Sequence, residues 1–149
     1  MAQDTFFETL AAHFTQSIPH ARECGMEVCE LLTAHTVTRM PYRPEWLGDT
    51  ERGVIHTGVV SSLVDSTSGL ALLGRLGHFE PIATLDLRMD YLRPAFKDRE
   101  IRCRAECYRV TTSIAFVRAQ VWQLDPGEIV ATSKSVFMRS GSKRRRTEA

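Results

Sequence analysis

Residues 53–77 read GVIHTGVVSSLVDSTSGLALLGRLG, and this stretch decides the fold. Apolar side chains point in nearly every direction around a helix drawn through it: Val59, Val60, Leu63, Val64, Leu70, Ala71, Leu72 and Leu73. A helix that is apolar all round belongs inside a protein. The helix is predicted to begin near Gly58 and to end near Gly74 and Gly77, since glycine commonly terminates helices. The stretch therefore predicts one long buried helix.

After Pro81, apolar and polar residues alternate, which is typical of a half-buried strand. Its apolar face consists of Leu85, Leu87, Met89 and Tyr91, and its polar face of Asp86, Arg88 and Asp90. Three further strands are predicted over residues 100–110, 113–124 and 128–138. Thr111-Thr112 and the Asp125-Pro126-Gly127 turn join them as consecutive antiparallel hairpins.

The chain before the long helix contributes smaller elements. Residues 4–14 carry apolar side chains at helical spacing, with Asp4 as the N-cap and Pro19 closing the segment. Two short strands are predicted over residues 28–32 and 36–40. Because no second long helix separates the strands, a parallel βαβ sheet is excluded. We predict an α+β fold in which an antiparallel sheet wraps around one central helix.

Composition indicates one soluble domain. The chain has 149 residues, of which 43% are hydrophobic and 25% charged. Residues 1–140 are expected to form the domain, and residues 141–149 a basic, disordered tail. The N-terminus resembles no secretory signal and no stretch reads as a membrane span, so we expect a cytoplasmic protein. The formal net charge of +1 includes +3 from the tail, which leaves no basic surface for nucleic acid.

The four cysteines favour neither a disulfide nor a metal site. Cys103 and Cys107 lie four residues apart in a predicted strand, about 13 Å by strand rise and too far to bond to each other. Cys24 and Cys29 lack CxxC spacing and a companion histidine pair. Reduced structural thiols are the expected state.

Asp65 is the charged residue that needs an explanation. It is the one formally charged side chain between Gly58 and Leu73. An unpaired buried carboxylate costs several kcal/mol, so Asp65 must be hydrogen-bonded, protonated or turned toward a substrate cleft. The start of the same helix, at Thr57 and Gly58, offers backbone N–H groups that can polarise a carbonyl. These two features are roughly 12 Å apart along the helix, so one substrate group would need them from two different chains.

Three motifs together resemble one family. They are His56-Thr57-Gly58, Leu63-Val64-Asp65 and Thr84-Leu85-Asp86, the last leading to Tyr91-Leu92-Arg93-Pro94-Ala95. They are similar to the hot-dog-fold acyl-CoA thioesterases of the phenylacetic acid degradation (PaaI-type) group, in which an HGG motif precedes an acidic residue nine positions after its histidine. His56 and Asp65 keep that interval. Thr57 replaces the first glycine of the motif, and Thr50 stands where the family often has asparagine.

The resemblance implies roles for these residues. Asp65 is expected to act as the nucleophile or as the general base that activates water, and Thr84 to orient the water or the carboxylate. Thr57 N–H and the helix end at Gly58 would hold the thioester carbonyl. His56 would shape the helix entry, and Thr50 would occupy the position of a polar substrate contact.

The implied substrate is an acyl-CoA, with coenzyme A as part of the substrate and with no separate cofactor or metal. Val59, Leu63 and Tyr91 are candidate pocket residues, and Arg88, Arg93 and Arg118 are candidates for the phosphates of coenzyme A. Self-association into a homodimer or homotetramer with intersubunit active sites is expected. Neither nucleic acid nor a membrane is expected as a partner. Alternatives are a hot-dog dehydratase or hydratase, a non-catalytic acyl-CoA-binding module and, on the tail alone, a nucleic-acid-binding protein.

Overall fold

The computed structural model of the protein describes residues 1–141, so the predicted tail lies outside the described residues except for Gly141. The helical elements are α1 (Ala2–Ala12), a π-helical segment (His13–Ser17), α2 (Pro19–Glu23), a 3-10 turn (Pro44–Trp46) and α3 (Thr57–Leu76). The strands are β1 (Glu27–Leu31), β2 (Thr36–Met40), β3 (Leu47–Asp49), β4 (Val54–Ile55), β5 (Ile82–Tyr91), β6 (Ile101–Val110), β7 (Ile114–Trp122) and β8 (Ala131–Arg139). Within residues 1–141 no helix combines the length and apolar character needed to cross a membrane.

Six strands form one antiparallel sheet in the order β1-β2-β6-β7-β8-β5. Strands β6, β7 and β8 are consecutive hairpins, as predicted. In the second turn Gly127 N–H donates to the Asp125 carboxylate at 2.8 Å. Strand β5 pairs with β8, on the side away from β7, and is therefore an edge strand in the described chain. The predicted α+β architecture is confirmed, because the sheet packs against one long helix.

Helix α3 packs on the inner face of this sheet. Leu63, Val64 and Leu72 have no exposed surface. Many of the sheet residues that form the core with them are small: Cys103, Ala105, Ala115, Val117, Ala119 and Ala131. Small side chains let the helix lie close to the sheet, and each large apolar side chain buried there contributes about 1.5–3 kcal/mol.

One stripe of α3 is not fully covered. It contains Gly58, Ser62, Asp65, Ser66 and Gly69, which recur at the three- and four-residue spacing of one helix face. All five are small or polar, and none is fully buried. The prediction of a helix buried on every side is therefore wrong on this stripe, because apolar residues occupy only the other faces.

The N-terminal region differs from its prediction in two respects. The first helix begins at Ala2, and Met1 occupies the N-cap position assigned to Asp4. Asp4 instead accepts a hydrogen bond from the N-terminal amine at 3.0 Å. Pro19 closes the first helical segment, as predicted, since Ile18 before it is extended, but it also opens the unpredicted helix α2, because a proline in the first turn of a helix removes no intrahelical hydrogen bond.

Strand β5 also departs from the predicted alternation. A bulge lies between Thr84 and Asp86, and it shifts the register by one residue. Leu85 is consequently 57% exposed, whereas Leu87 and Met89 remain half-buried against the core. The bulge leaves Thr84 free to point toward α3.

Glu80 anchors the start of β5 to the end of β8. Its carboxylate accepts from Arg139 Nη2 at 2.7 Å, from Ser140 Oγ at 3.1 Å and from Gly141 N–H at 3.1 Å. Both members of the ion pair are largely buried, with 6% of the Glu80 side chain and 13% of the Arg139 side chain exposed. The hydrogen bonds from Arg139 hold the pKa of Glu80 below its ordinary value of 4.5.

This ion pair predicts a stability loss in acid. Because the pKa of Glu80 is lower in the folded protein, its stabilising contribution is present above pH 4.5 and is lost as the pH falls through the folded-state pKa. We expect Glu80→Gln to unfold at lower urea concentration than wild type at neutral pH, and to lose less stability than wild type on acidification. Urea unfolding monitored across this pH range measures both effects. If both proteins lost the same amount of stability to urea on acidification, the assignment of this acid-sensitive stability to Glu80 would be contradicted.

Candidate active site

Asp65 lies on the open stripe of α3 and is half-buried. Thr84, on the neighbouring strand β5, donates its hydroxyl hydrogen to Asp65 Oδ1 at 2.8 Å. This bond satisfies one carboxylate oxygen and orients the group. No donor contacts the other oxygen, Oδ2, within residues 1–141. The carboxylate thus has one oxygen held and one available for chemistry.

Asp65 and Thr84 form part of the wall of a cavity of about 340 Å³. Other lining residues come from α3, from the sheet and from the N-terminal helices: Leu10, His13, Phe14, Ile18, Ser66, Gly69, Leu70, Leu73, Phe79, Glu80, Ile82 and Phe137. Most of these side chains are apolar. The carboxylate therefore borders a space suited to an apolar ligand.

Sequence reasoning missed almost all of these lining residues. The helical spacing of Leu10 and Phe14 predicted an amphipathic helix, but nothing in that spacing says which surface the helix covers. In the fold the N-terminal segment lies beside the open stripe of α3 and forms one wall of the cavity. Gly69 could have been predicted to border the cavity, since it lies one helical turn after Asp65 and lacks a side chain.

The N-terminus of α3 is capped by His56. Gly58 N–H donates to His56 Nδ1 at 2.9 Å, so this N–H group is not free to polarise a substrate carbonyl, contrary to the role expected for it. Thr57 N–H has no acceptor within the described residues. Since Nδ1 accepts, the ring proton of neutral His56 lies on Nε2. Thr57 N–H is the donor that the cap leaves available.

The structure does not bring Thr57 and Asp65 together in one chain. They are eight residues apart on a regular helix, which is roughly 12 Å along its axis. Thr57 borders a different cavity, of about 330 Å³, together with Tyr91 and Arg93. Tyr91 also donates its hydroxyl hydrogen to the Thr57 carbonyl at 3.3 Å, which links β5 to the start of α3.

The remaining candidate pocket residues are dispersed. Val59 and His56 border a third cavity, of about 430 Å³, beside the 3-10 turn. Leu63 has no exposed surface and belongs to the core, so its assignment to a pocket is corrected. Thr50 is exposed in the turn between β3 and β4 and borders none of these three cavities.

The candidate arginines also separate. Arg93 borders the Thr57 cavity and is 3.9 Å from Glu128. Arg88 and Arg118 lie on the outer face of the sheet, opposite α3, where Arg88 is 3.5 Å from Asp90. Two nitrogens of Arg118 contact the Glu106 carboxylate. Neither of these two side chains can reach the cavities beside α3 in its own chain.

All four cysteines are free thiols, as predicted. Burial raises the pKa of the Cys103 thiol to about 12, so it stays protonated. Within residues 1–141 there is no group of three or more His, Cys, Asp or Glu side chains placed to hold a metal ion.

An antiparallel sheet wrapped around one long helix, with a carboxylate on the open stripe of that helix, defines a hot-dog-fold protein. The family model of the thioesterase superfamily matches residues 52–130, which include His56, Asp65 and Thr84. The chain belongs to the thioesterase superfamily.

Individual relatives agree with this placement. The medium/long-chain acyl-CoA thioesterase YigI of Salmonella typhimurium is 26% identical over 138 residues, covering 84% of this chain and 88% of the relative. A Pseudomonas aeruginosa protein of known crystal structure is 36% identical, with a TM-score of 0.79 over 90% of this chain and 98% of that chain. A mutant of the phenylacetic acid degradation protein PaaI from Thermus thermophilus is 28% identical, with a TM-score of 0.71 over 82% and 99%. The resemblance to PaaI-type proteins is confirmed.

The His56 cap makes a prediction about stability. We expect His56→Ala to lower the free energy of unfolding by about 0.5–2 kcal/mol, because Gly58 N–H loses its acceptor. His56→Asn should retain most of the stability, since asparagine is a strong N-cap residue. Urea unfolding of the three proteins measures the difference. Equal losses in the Ala and Asn variants would show that the ring, and not its capping bond, stabilises the helix entry.

Proposed function

We propose that the protein hydrolyses acyl-CoA thioesters to a free carboxylic acid and coenzyme A, with Asp65 as the catalytic carboxylate. The observation that carries this proposal is the hydrogen bond from Thr84 to Asp65 at the wall of an apolar cavity. One carboxylate oxygen is held there while the other is available to a water molecule or to the thioester carbon. Membership of the thioesterase superfamily supports the reaction class.

Two routes are compatible with this geometry. As a general base, Asp65 takes a proton from water, the resulting hydroxide adds to the thioester carbonyl, and collapse of the intermediate expels coenzyme A as a thiolate that then takes up a proton. As a nucleophile, Asp65 adds to the carbonyl, expels the thiolate and forms a mixed anhydride that water hydrolyses. In both routes Thr84 keeps the carboxylate oriented toward the reacting carbon.

The negative charge that develops on the carbonyl oxygen needs a donor, and Thr57 N–H fits this role. It lies at the positive end of the α3 dipole and is left free by the His56 cap. One such donor is worth about 10²–10³ in rate when it is aimed at an oxyanion. Arg93 is proposed to contact the phosphates of coenzyme A, and its position beside the same cavity as Thr57 supports this role.

Because Thr57 and Asp65 are too far apart in one chain, we propose that a complete site combines Thr57 of one chain with Asp65 of a second. The edge strand β5 supports such an assembly, since its ten residues leave one row of backbone groups without a partner strand in the described chain. Pairing two copies of β5 about a two-fold axis would form a homodimer with two equivalent sites. Pairing of such dimers into a homotetramer would leave this arrangement unchanged.

The acyl group is proposed to be of medium or long chain length. The YigI thioesterases of Salmonella typhimurium and Escherichia coli carry that description. The apolar cavity beside Asp65 is consistent with it, because an apolar chain is stabilised by burial in proportion to its surface.

The role of Asp65 is tested by Asp65→Asn, which keeps the shape of the side chain and removes its charge. We expect wild type to release free thiol from acyl-CoA substrates, and Asp65→Asn to be slower by about 10²-fold or more while keeping its fold and oligomeric state. Asp90→Asn is the matched control, since Asp90 is half-exposed on the outer sheet face and should leave the rate unchanged. The panel should include acetyl-, octanoyl-, dodecanoyl-, hexadecanoyl- and phenylacetyl-CoA.

Two results would overturn the assignment. An Asp65→Asn variant as active as wild type would exclude Asp65 as the catalyst. A wild type that binds acyl-CoA tightly without hydrolysing any member of the panel would be a non-catalytic acyl-CoA-binding module.

The two-chain site is tested with Thr57→Pro. Proline is favoured at the first helical position, and the extended backbone of His56 (φ −58°, ψ 132°) suits a residue before proline, so this change removes the N–H group and preserves the helix. Thr57→Pro and Asp65→Asn should each be nearly inactive alone. After subunit exchange of an equal mixture, half of the dimers are mixed and each has one intact site, which restores about a quarter of wild-type activity. Absence of recovery in demonstrably mixed dimers would place both groups in one chain.

A further inference from the structure

The cavity beside Asp65 extends along α3 as a channel. Asp65, Gly69 and Leu73 border it at four-residue intervals, so its wall spans roughly 12 Å along the helix axis. Asp65 with Thr84 marks one end. Phe79, which lies in the loop after the C-terminal end of α3, borders the same cavity.

The sides of the channel are mainly apolar, although His13, Ser66 and Glu80 also border it. Leu10 and Phe14 from the N-terminal helical segments form one side, and Ile82 and Phe137 from the sheet form the other. Leu10 and Phe14 are themselves almost completely buried, so this wall is fixed by core packing. A straight apolar ligand with a polar head at Asp65 matches the shape and polarity of this space.

Gly69 has no local reason to be glycine. Its φ is not positive, and an added Cβ would meet Ile82 Cδ1 at 3.6 Å and Phe137 Cε1 at 3.8 Å, which are ordinary contact distances. Glycine inside a helix is destabilising relative to alanine. Gly74 differs, because an added Cβ there would lie 3.2 Å from Leu31 Cδ1 in the packed core. Gly69 borders the channel, and its missing side chain leaves room there for one further carbon atom in contact with Ile82 and Phe137.

We propose that this channel holds the acyl chain of the substrate and that Gly69 determines the chain length accepted. The inference rests on the proposed acyl-CoA hydrolysis and adds the location of the acyl group. Chains that stop before Gly69 need only the space beside Asp65. Longer chains pass over Gly69 toward Leu73 and end near Phe79, which is 47% exposed and stacks edge-on with Phe6 at 5.3 Å.

The cavity beside Val59 is the alternative location. It is larger, at about 430 Å³, but it contains polar groups from several directions, including a 2.5 Å contact between His20 Nε2 and Ser62 Oγ, together with Cys24 and Glu45. Polar side chains also border the channel, so polarity does not separate the two cavities. Asp65 and Thr84 border the channel and not the cavity beside Val59, so an acyl chain in the channel adjoins the proposed catalytic carboxylate.

The proposal is tested by comparing Gly69→Leu with Gly69→Ala across acetyl-, butanoyl-, octanoyl-, dodecanoyl- and hexadecanoyl-CoA. Gly69→Leu should lower kcat/KM for octanoyl-CoA and longer substrates by about tenfold or more, and leave acetyl-CoA within about twofold of wild type, since one misfitted methylene in an apolar pocket changes the rate by roughly 10–200-fold. Gly69→Ala should change the profile much less. Ser62→Leu, which fills the alternative cavity, should leave the profile unchanged.

A second variant tests the proposal even if Gly69→Leu fails to fold or to form the oligomer. Phe79→Ala opens the far end of the channel at an exposed position and should shift the preference toward longer chains. A chain-length profile that moves with Ser62→Leu, or that stays the same in both Gly69→Leu and Phe79→Ala, would overturn the proposal.

Binding of free fatty acid separates this inference from the proposed hydrolysis. Calorimetric titration with dodecanoate should give heat with wild type and with Asp65→Asn, and much weaker binding with Gly69→Leu. If wild type hydrolyses no acyl-CoA yet binds dodecanoate in this pattern, the hydrolysis fails and the channel stands. If wild type hydrolyses long acyl-CoA and Gly69→Leu binds dodecanoate as tightly as wild type, the hydrolysis stands and the channel is overturned.

Discussion

The structure depends on the close packing of one long helix against the inner face of an antiparallel sheet. Large side chains on α3 fit against small ones on β6 and β7, so Leu63 and Leu72 are buried completely beside residues such as Ala105 and Ala119. This packing uses most of the circumference of the helix. What is left is one stripe of small and polar residues, and the proposed catalytic carboxylate, Asp65, lies on it beside a cavity.

The same packing explains how a carboxylate is tolerated on such a helix. Asp65 is placed on the open stripe and not in the core, and Thr84 reaches it from β5 because a bulge shifts the register of that strand. A half-buried carboxylate with one satisfied oxygen avoids most of the desolvation cost of a buried charge. Strand β5 is fixed in turn by the Glu80–Arg139 ion pair at its beginning. The position of the candidate catalytic group is therefore coupled to the pairing of β5 with β8.

Two neighbouring N–H groups at the start of α3 have different roles. Gly58 N–H is used to stabilise the helix through His56, and Thr57 N–H remains without an internal partner in the described chain. A helix end that satisfied both groups internally would be more stable but could not bind a carbonyl oxygen. Because this end lies roughly 12 Å from Asp65 in the same chain, the proposed reaction links catalysis to assembly of two subunits.

Local sequence patterns determined much of this protein. The apolar run through residues 59–73, the period-two strands and the turn at Asp125-Pro126-Gly127 were enough to predict the helix, the hairpins and the sheet around the helix, because each is set by neighbours in sequence. The spacing of His56 and Asp65 led to the right family for the same reason. Only the tertiary structure decided that His56 occupies Gly58 N–H, that Leu63 is core and that Leu10 and Phe14 line the cavity beside Asp65. These features arise from contacts between segments far apart in the chain, and periodicity identifies an apolar face without identifying the surface that it meets.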